Sequence, residues 1–266
     1  MTSARPDLGR LLGSIPLLLT TSSLADAAIG DAFGDAMAAL ARFDFVVVFA
    51  YRGEERPLDL FSTFGPDDYR VFVTLYQAGP YLLDPFFHAA RAGRTGVLRM
   101  RELAPDRFFS SEYFRTYYSQ TGLAEEIGFF VPAGEGVTVV LSLMRKAATR
   151  AFSAREFDLL RQAEPFVAAL VERFWQDLAA RFDRAARRNR RPDAARARAN
   201  GFRGRSDLTA REAAIVDLVL QGHSSEAVGR RLGIATGTVK VHRRNVYRKL
   251  GISSQTQLLS LYLQSR

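Results

Sequence analysis

The chain has 266 residues, 47 % hydrophobic and 24 % charged, a globular composition long enough for two domains of ordinary size. It has no cysteine, which excludes disulfides, thiolate metal sites and a cysteine nucleophile, and His88, His223 and His242 are too scattered to suggest a metal site. The net charge of +9 is uneven: residues 184–206 carry nine Arg against one Asp, residues 207–266 carry nine Lys or Arg against four acids, and residues 1–183 are left at −4. An anionic partner is therefore expected to meet the C-terminal third, while the first two-thirds does something else.

Residues 11–21, LLGSIPLLLTT, are too short to span a bilayer and lack a convincing cleavage site, so they read as an N-terminal helix of a cytosolic protein with no membrane partner. Residues 43–53, FDFVVVFAYRG, form a β-branched and aromatic run, and residues 57–65, PLDLFSTFG, read as its hairpin partner. Residues 67–93 place apolar side chains at helical spacing, interrupted at Gly79-Pro80. A short strand over 95–103 and a helical stretch over 110–122 follow, then a hairpin over 125–146 turning at Gly134 and Gly136. Strands on either side of a helix predict an antiparallel sheet flanked by helices, an α+β domain with α/β/α layers.

Ser153 with Glu156 is a capping box opening a long helix. Its stripe runs through Phe157, Leu160, Val167, Leu170, Val171, Phe174 and Leu178, with a kink expected at Pro165. Such a helix covers its own sheet, pairs at its far end with a second subunit, or does both. This first domain is taken as residues 1–183. Residues 184–206 are an Arg-rich linker with too few apolar residues for a core, able to attract phosphates without specificity. The aromatics Phe108, Phe109, Tyr113, Phe114, Tyr117 and Tyr118 read as core. There is neither a Gly-rich phosphate loop nor a His-Asp-Ser set, so no enzyme activity, cofactor or metal is expected.

Residues 207–266 divide into four short helices, an all-α arrangement. Thr209 and Glu212 form a second capping box, Gly222 ends the first helix, and residues 224–233 form a brief second one. The third runs from Thr236, its expected N-cap, to Gly251, and the fourth covers 253–264. At 100° per residue, Val239, Val246 and Leu250 share one side of the third helix. Gly237, Lys240, Val241, Arg244 and Arg248 lie on the opposite side. A solvated charged face has no use for Val241. A helix in the DNA major groove does, because a valine methyl can meet a thymine methyl while Lys and Arg reach guanine O6 and N7.

The residues of this region resemble the LuxR-type (NarL/FixJ) helix-turn-helix family. The matching positions are Leu208, Thr209, Arg211 and Glu212, then Gly222 and Ser224, then Thr238, Val239, Lys240, His242, Asn245, Lys249, Leu250 and Gly251. Ser225-Glu226-Ala227 departs from the family's usual Asn-Lys-Glu. The resemblance implies that Lys240, Val241 and Arg244 reach bases and that Thr238, Arg243 and Lys249 flank them at phosphates. It further implies a homodimer on a palindromic operator, with the last helix as a dimer contact and RNA polymerase as a further partner.

Residues 35–183 look like the autoinducer-binding or GAF-like (PAS/GAF-like) sensor of such regulators. The likeness rests on YRVFVTLYQAGPYLLDPFFHAARAG (69–93) and GFFVPAGEGVTVVLSLM (128–144). It implies a small apolar ligand, possible in quorum-sensing-type signalling, held by Phe72, Tyr76, Tyr81 and Asp84; the family's Trp is Phe72 here. Asp84 as a mere helix cap is the competing reading. Three rival functions stay open: a regulator controlled by a protein partner, a non-specific nucleic-acid or membrane-surface binder, and a signalling enzyme.

Overall fold

The computed structural model describes residues 24–188 and 208–264, with Pro6, Asp7, Gly9, Gly13, Pro16 and Thr20. The expected helix over 11–21 and the linker from residue 189 onward lie outside the described residues, isolated positions aside. Helix α1 (Asp26–Ala38) is followed by strands β1 (Phe45–Arg52) and β2 (Leu58–Ser62). Next come α2 (Pro66–Tyr69), a π-helical turn over Arg70–Leu75, α3 (Pro85–Arg91), β3 (Gly96–Arg99), α4 (Met100–Leu103) and α5 (Glu112–Thr116). The hairpin β4 (Leu123–Pro132) and β5 (Val137–Lys146) leads into α6 (Ala154–Gln162), α7 (Glu164–Phe174) and α8 (Leu178–Arg188). The C-terminal helices are α9 (Ala210–Gln221), α10 (Ser225–Leu232), α11 (Thr236–Leu250) and α12 (Gln255–Gln264). The chain forms two compact units. One holds residues up to Thr74, Phe86–Leu103 and Gly122–Asp183; the other holds Leu75–Pro85, Ala104–Thr121 and the residues from Arg184 on.

The first unit is built on a five-stranded, wholly antiparallel sheet in the order β2-β1-β5-β4-β3. Successive side chains of a strand point to opposite faces. Val46, Val48 and Ala50 of β1 therefore join Phe129, Val139 and Leu141 in a core with Ile29, Phe33 and Met37 of α1. On the other strand positions, Tyr51 meets Phe87 and Phe130 meets Phe86, at ring separations of 5.7 and 5.1 Å. With both faces covered, the central strands are buried at nearly every position, which is why their apolar stretches read as runs rather than as alternation.

The expected long helix is three helices. α6 stops at Gln162 and α7 restarts at Glu164, with Pro165 in its first turn, where a missing N–H costs nothing. α7 ends at Trp175, which leaves helical geometry and turns inward until it is 1 % exposed. Its indole N–H donates to Asp26 Oδ1 at 2.8 Å, and Arg181 donates to the same carboxylate. These breaks keep Leu160, Val167, Leu170, Val171 and Leu178 buried in the core with the sheet, while Phe157 and Phe174 are only partly covered. Residues 184–188, expected in the linker, continue α8. The capping box at the start of α6 forms, and its Glu156 also takes a hydrogen bond from the buried Arg145 at 2.6 Å.

Trp175→Ala should destabilise the chain by about 3–5 kcal/mol, and Trp175→Phe, which deletes the hydrogen bond to Asp26 and part of the buried ring, by about 1–3 kcal/mol. Urea denaturation followed by circular dichroism checks both, because Trp175 is the only tryptophan.

Candidate functional site

The second unit carries the exposed basic helix. α9 opens on the Thr209–Glu212 capping box, and α9, α10 and α11 each close on a left-handed glycine, Gly222, Gly233 and Gly251. The Ser224 side chain caps α10 by accepting the Ala227 N–H at 3.1 Å. Gly229 lets the chain between α10 and α11 fold back closely: a Cβ there would lie 2.7 Å from the Ile234 carbonyl oxygen. α11 is capped at Ala235 rather than Thr236, which is its first helical residue.

Ile215, Val219, Val228 and Val239 form the core that docks α11, with Leu218, Leu232 and Ile234 at its edge. Val246 is also buried, whereas Leu250 is only half-buried because it sits in the last turn. On the far side, Thr238, Lys240, Val241, Arg244 and Arg248 are exposed. Val241 is 51 % exposed, the one large hydrophobic so exposed among the described residues 208–264.

The flanking cations are less free. Arg243 is half-buried and donates to Ser225 Oγ at 3.3 Å, and Arg248 donates to Asn245 at 3.2 Å. Lys249 reaches the buried Glu212 carboxylate at 2.6 Å, tying the end of α11 to the start of α9. Burial works to raise the Glu212 carboxyl, but Lys249 and the two hydrogen bonds from Thr209 outweigh it and hold it below the usual carboxylate range. Lys249 thus has a structural partner that its place in the sequence did not show.

The family model for bacterial regulatory proteins of the luxR family matches residues 206–262, the span of these four helices. An HTH-type transcriptional regulator named for the exeN 3′ region of Aeromonas salmonicida is 33 % identical over 186 residues, covering 68 % of this chain and 93 % of that protein. The chain belongs to the luxR family of bacterial regulatory proteins. As a luxR-family member it is a DNA-binding transcriptional regulator. The transcriptional activator protein PhzR of Pseudomonas fluorescens is 28 % identical over 190 residues, covering 70 % of this chain and 67 % of PhzR. The VqsR LBD domain from Pseudomonas aeruginosa shares the fold of the N-terminal part at a TM-score of 0.52 and 24 % identity, covering 62 % of this chain and 96 % of that domain. Among the described residues no helix of this luxR-family chain is long and apolar enough to cross a membrane.

Of the residues expected to hold a ligand, Tyr76, Tyr81 and Asp84 come together. The Tyr76 hydroxyl donates to Asp84 Oδ2 at 2.6 Å, and its ring stands 6.2 Å from Tyr81 and 6.3 Å from Tyr117. All three expected residues are buried. Phe72 belongs to the first unit, where it stacks on Phe64 at 4.4 Å. Gly79-Pro80 separates the π-helical turn from the one turn of 3₁₀ helix that carries Tyr81, and this brings Asp84 back to Tyr76.

His223, at the turn between α9 and α10, was singled out by no sequence signal. Burial pushes its pKa down from 6.5 to about 4, with Arg231 adding to the effect and Asp106 opposing it. The folded chain therefore holds His223 neutral while the unfolded chain takes a proton, so stability declines as pH falls from about 6.5 to about 4. The depressed Glu212 contributes stability that is present above its unfolded value of 4.5 and is lost as pH falls through the lower folded value. Thermal denaturation across this range should show a fall in midpoint that His223→Gln reduces. Lys249→Ala, which leaves Glu212 buried without its cation, should cost about 1–3 kcal/mol at neutral pH in the same assay.

Proposed function

We propose that this regulator reads a palindromic operator as a homodimer, with α11 in the major groove of each half-site. The observation that carries this is the exposed face of Lys240, Val241 and Arg244 on a helix docked through Val239 and Val246. Lys240 and Arg244 address guanines and Val241 a thymine methyl. Thr238, Arg243, Arg248 and Lys249 position the helix at phosphates, Lys249 by leaving Glu212 or by holding α11 in place through it. The half-sites lie about 10 base pairs apart. The functional division is a sensing domain over residues 1–183, a basic tether over 184–206 and the DNA-binding domain over 207–266. The setting is the cytoplasm, RNA polymerase is a further partner, and no catalytic step is assigned.

The sensing domain accepts a small, mostly apolar molecule whose polar end meets Asp84, Tyr76 and Tyr81, a signal of the quorum-sensing type. Support comes from the buried Tyr76–Asp84 hydrogen bond among aromatic rings, since an apolar pocket orients its ligand through a few polar groups. The ligand controls DNA binding through its differential affinity for the competent and incompetent arrangements.

Selection of bound sequences from a random library, with and without an extract of the growth medium, should yield one palindrome and an extract-dependent affinity; equal binding of every sequence would leave only a non-specific binder. Lys240→Ala or Arg244→Ala should cost about 1–3 kcal/mol on the selected site and relax preference at one position. Arg243→Ala should weaken all sequences alike and reduce the salt slope by about one. Asp84→Ala should remove the response to the extract while leaving sequence preference intact, as fluorescence anisotropy would show.

A further inference from the structure

The unit that contains the DNA-binding helices also contains Leu75–Pro85 and Ala104–Thr121. Two of the ties made by the second segment fall on the turn between α9 and α10. The Arg107 N–H donates to the Gly222 carbonyl at 2.9 Å, and the Ser224 N–H donates to Asp106 Oδ1 at 3.0 Å, with His223 Nδ1 4.0 Å from that oxygen. Phe108, wholly buried, backs onto Gly222, where an added Cβ would lie 2.8 Å from the Phe108 Cα and the backbone has φ +99°. Only glycine meets both conditions. A further tie reaches α12: Thr256 Oγ1 donates to Glu112 Oε2 of α5 at 3.0 Å.

The position of Asp106 has a chemical meaning. Ser225, next to the residue that Asp106 accepts from, receives Arg243 of α11. Asp106 therefore takes a backbone N–H at the start of α10, next to a hydroxyl that receives a cation of α11. A DNA phosphate seeks that combination, and phosphate contacts are what register such a helix on the duplex. A carboxylate there occupies a donor and repels an approaching phosphate.

We infer that residues 104–121 are an intramolecular clamp: Asp106 stands in for a backbone phosphate of DNA, Phe108 anchors it beneath the α9–α10 turn, and Glu112 holds α12. While closed, the clamp leaves the base-reading face of α11 open but competes with the phosphates that would seat it, and it keeps α12 engaged within the chain. The same segment carries Tyr117, whose ring stands beside Tyr76, the donor to Asp84. A ligand that takes Asp84 from Tyr76 acts on a neighbour of the clamp, so ligand and DNA bias one element. The inference rests on the reading of α11 as the DNA-contacting helix.

The full-length chain carrying Asp106→Ala with Glu112→Ala loses both side-chain ties and keeps Phe108. Its affinity for the operator selected by the unaltered chain should rise about three- to tenfold, the effect of one or two exposed hydrogen bonds, and its affinity for random DNA should rise with it. Hydrogen exchange at the Ser224 amide should speed up. Should the double variant misfold by circular dichroism, Asp106→Asn, which keeps the shape and an acceptor but removes the charge, takes its place with an expected gain of about threefold. Unchanged or weaker affinity for the same operator overturns the clamp and leaves the DNA-binding reading standing. Failure of the unaltered chain and of the variants to select any sequence overturns both.

Discussion

The docking of α11 through Val239 and Val246 is the packing on which the orientation of its exposed basic face depends. A helix with so many cations has no reason to hold one orientation in water; the apolar core of Ile215, Val219 and Val228 supplies that reason from one side only. Once Val239 is 0 % exposed, helical geometry turns Lys240, Val241 and Arg244 outward together. The Lys249–Glu212 pair sets the far end of the helix, and the capping box around Glu212 sets the start of α9, so one buried carboxylate joins the start of α9 to the end of α11. Orientation here is a packing effect with an electrostatic surface as its consequence.

The N-terminal part obeys a different constraint. Its sheet is covered on both faces, so its strands contribute side chains to two interiors at once. One interior, over α1, α7 and α8, mixes aliphatic side chains with the rings of Phe33, Phe129, Trp175 and Phe182. Buried charge on this unit is paired: Arg145 reaches Glu156 and the Arg42 and Arg150 carbonyls, as a group removed from water requires. In the second unit, the buried Tyr76–Asp84 pair places one polar contact among aromatic rings.

A regulator needs its sensing residues and its DNA-contacting residues to act on one element with two arrangements. In the aromatic segment around Phe108 and Tyr117 the rings pack against one another, tilted, edge-on or stacked. Glycine at 222 is part of the same design, since any side chain would hold the turn away from Phe108.

Periodicity and capping chemistry made α9 to α12 legible from the residues alone: capping boxes, helix-ending glycines and the angle between Val239 and Lys240 are local, and local rules place them. The sheet was legible in outline because β-branched runs between turn residues have few other uses. The long-helix reading failed at Trp175, where burial of a large ring and its hydrogen bond to Asp26, 149 positions away, outweighed helical continuation. The linker's first residues were likewise drawn into α8. The engagement of Lys249 by Glu212 and the contact of Asp106 with the α9–α10 turn join residues far apart along the chain, and folding alone sets the burial that depresses the pKa of His223 and the unit boundary between Phe72 and Tyr76. The sequence by itself determined which side of α11 is buried and which basic side is exposed, because that depends on spacing within a few turns; only the tertiary structure decided what restrains that helix, because those partners meet by folding and leave no period in the sequence.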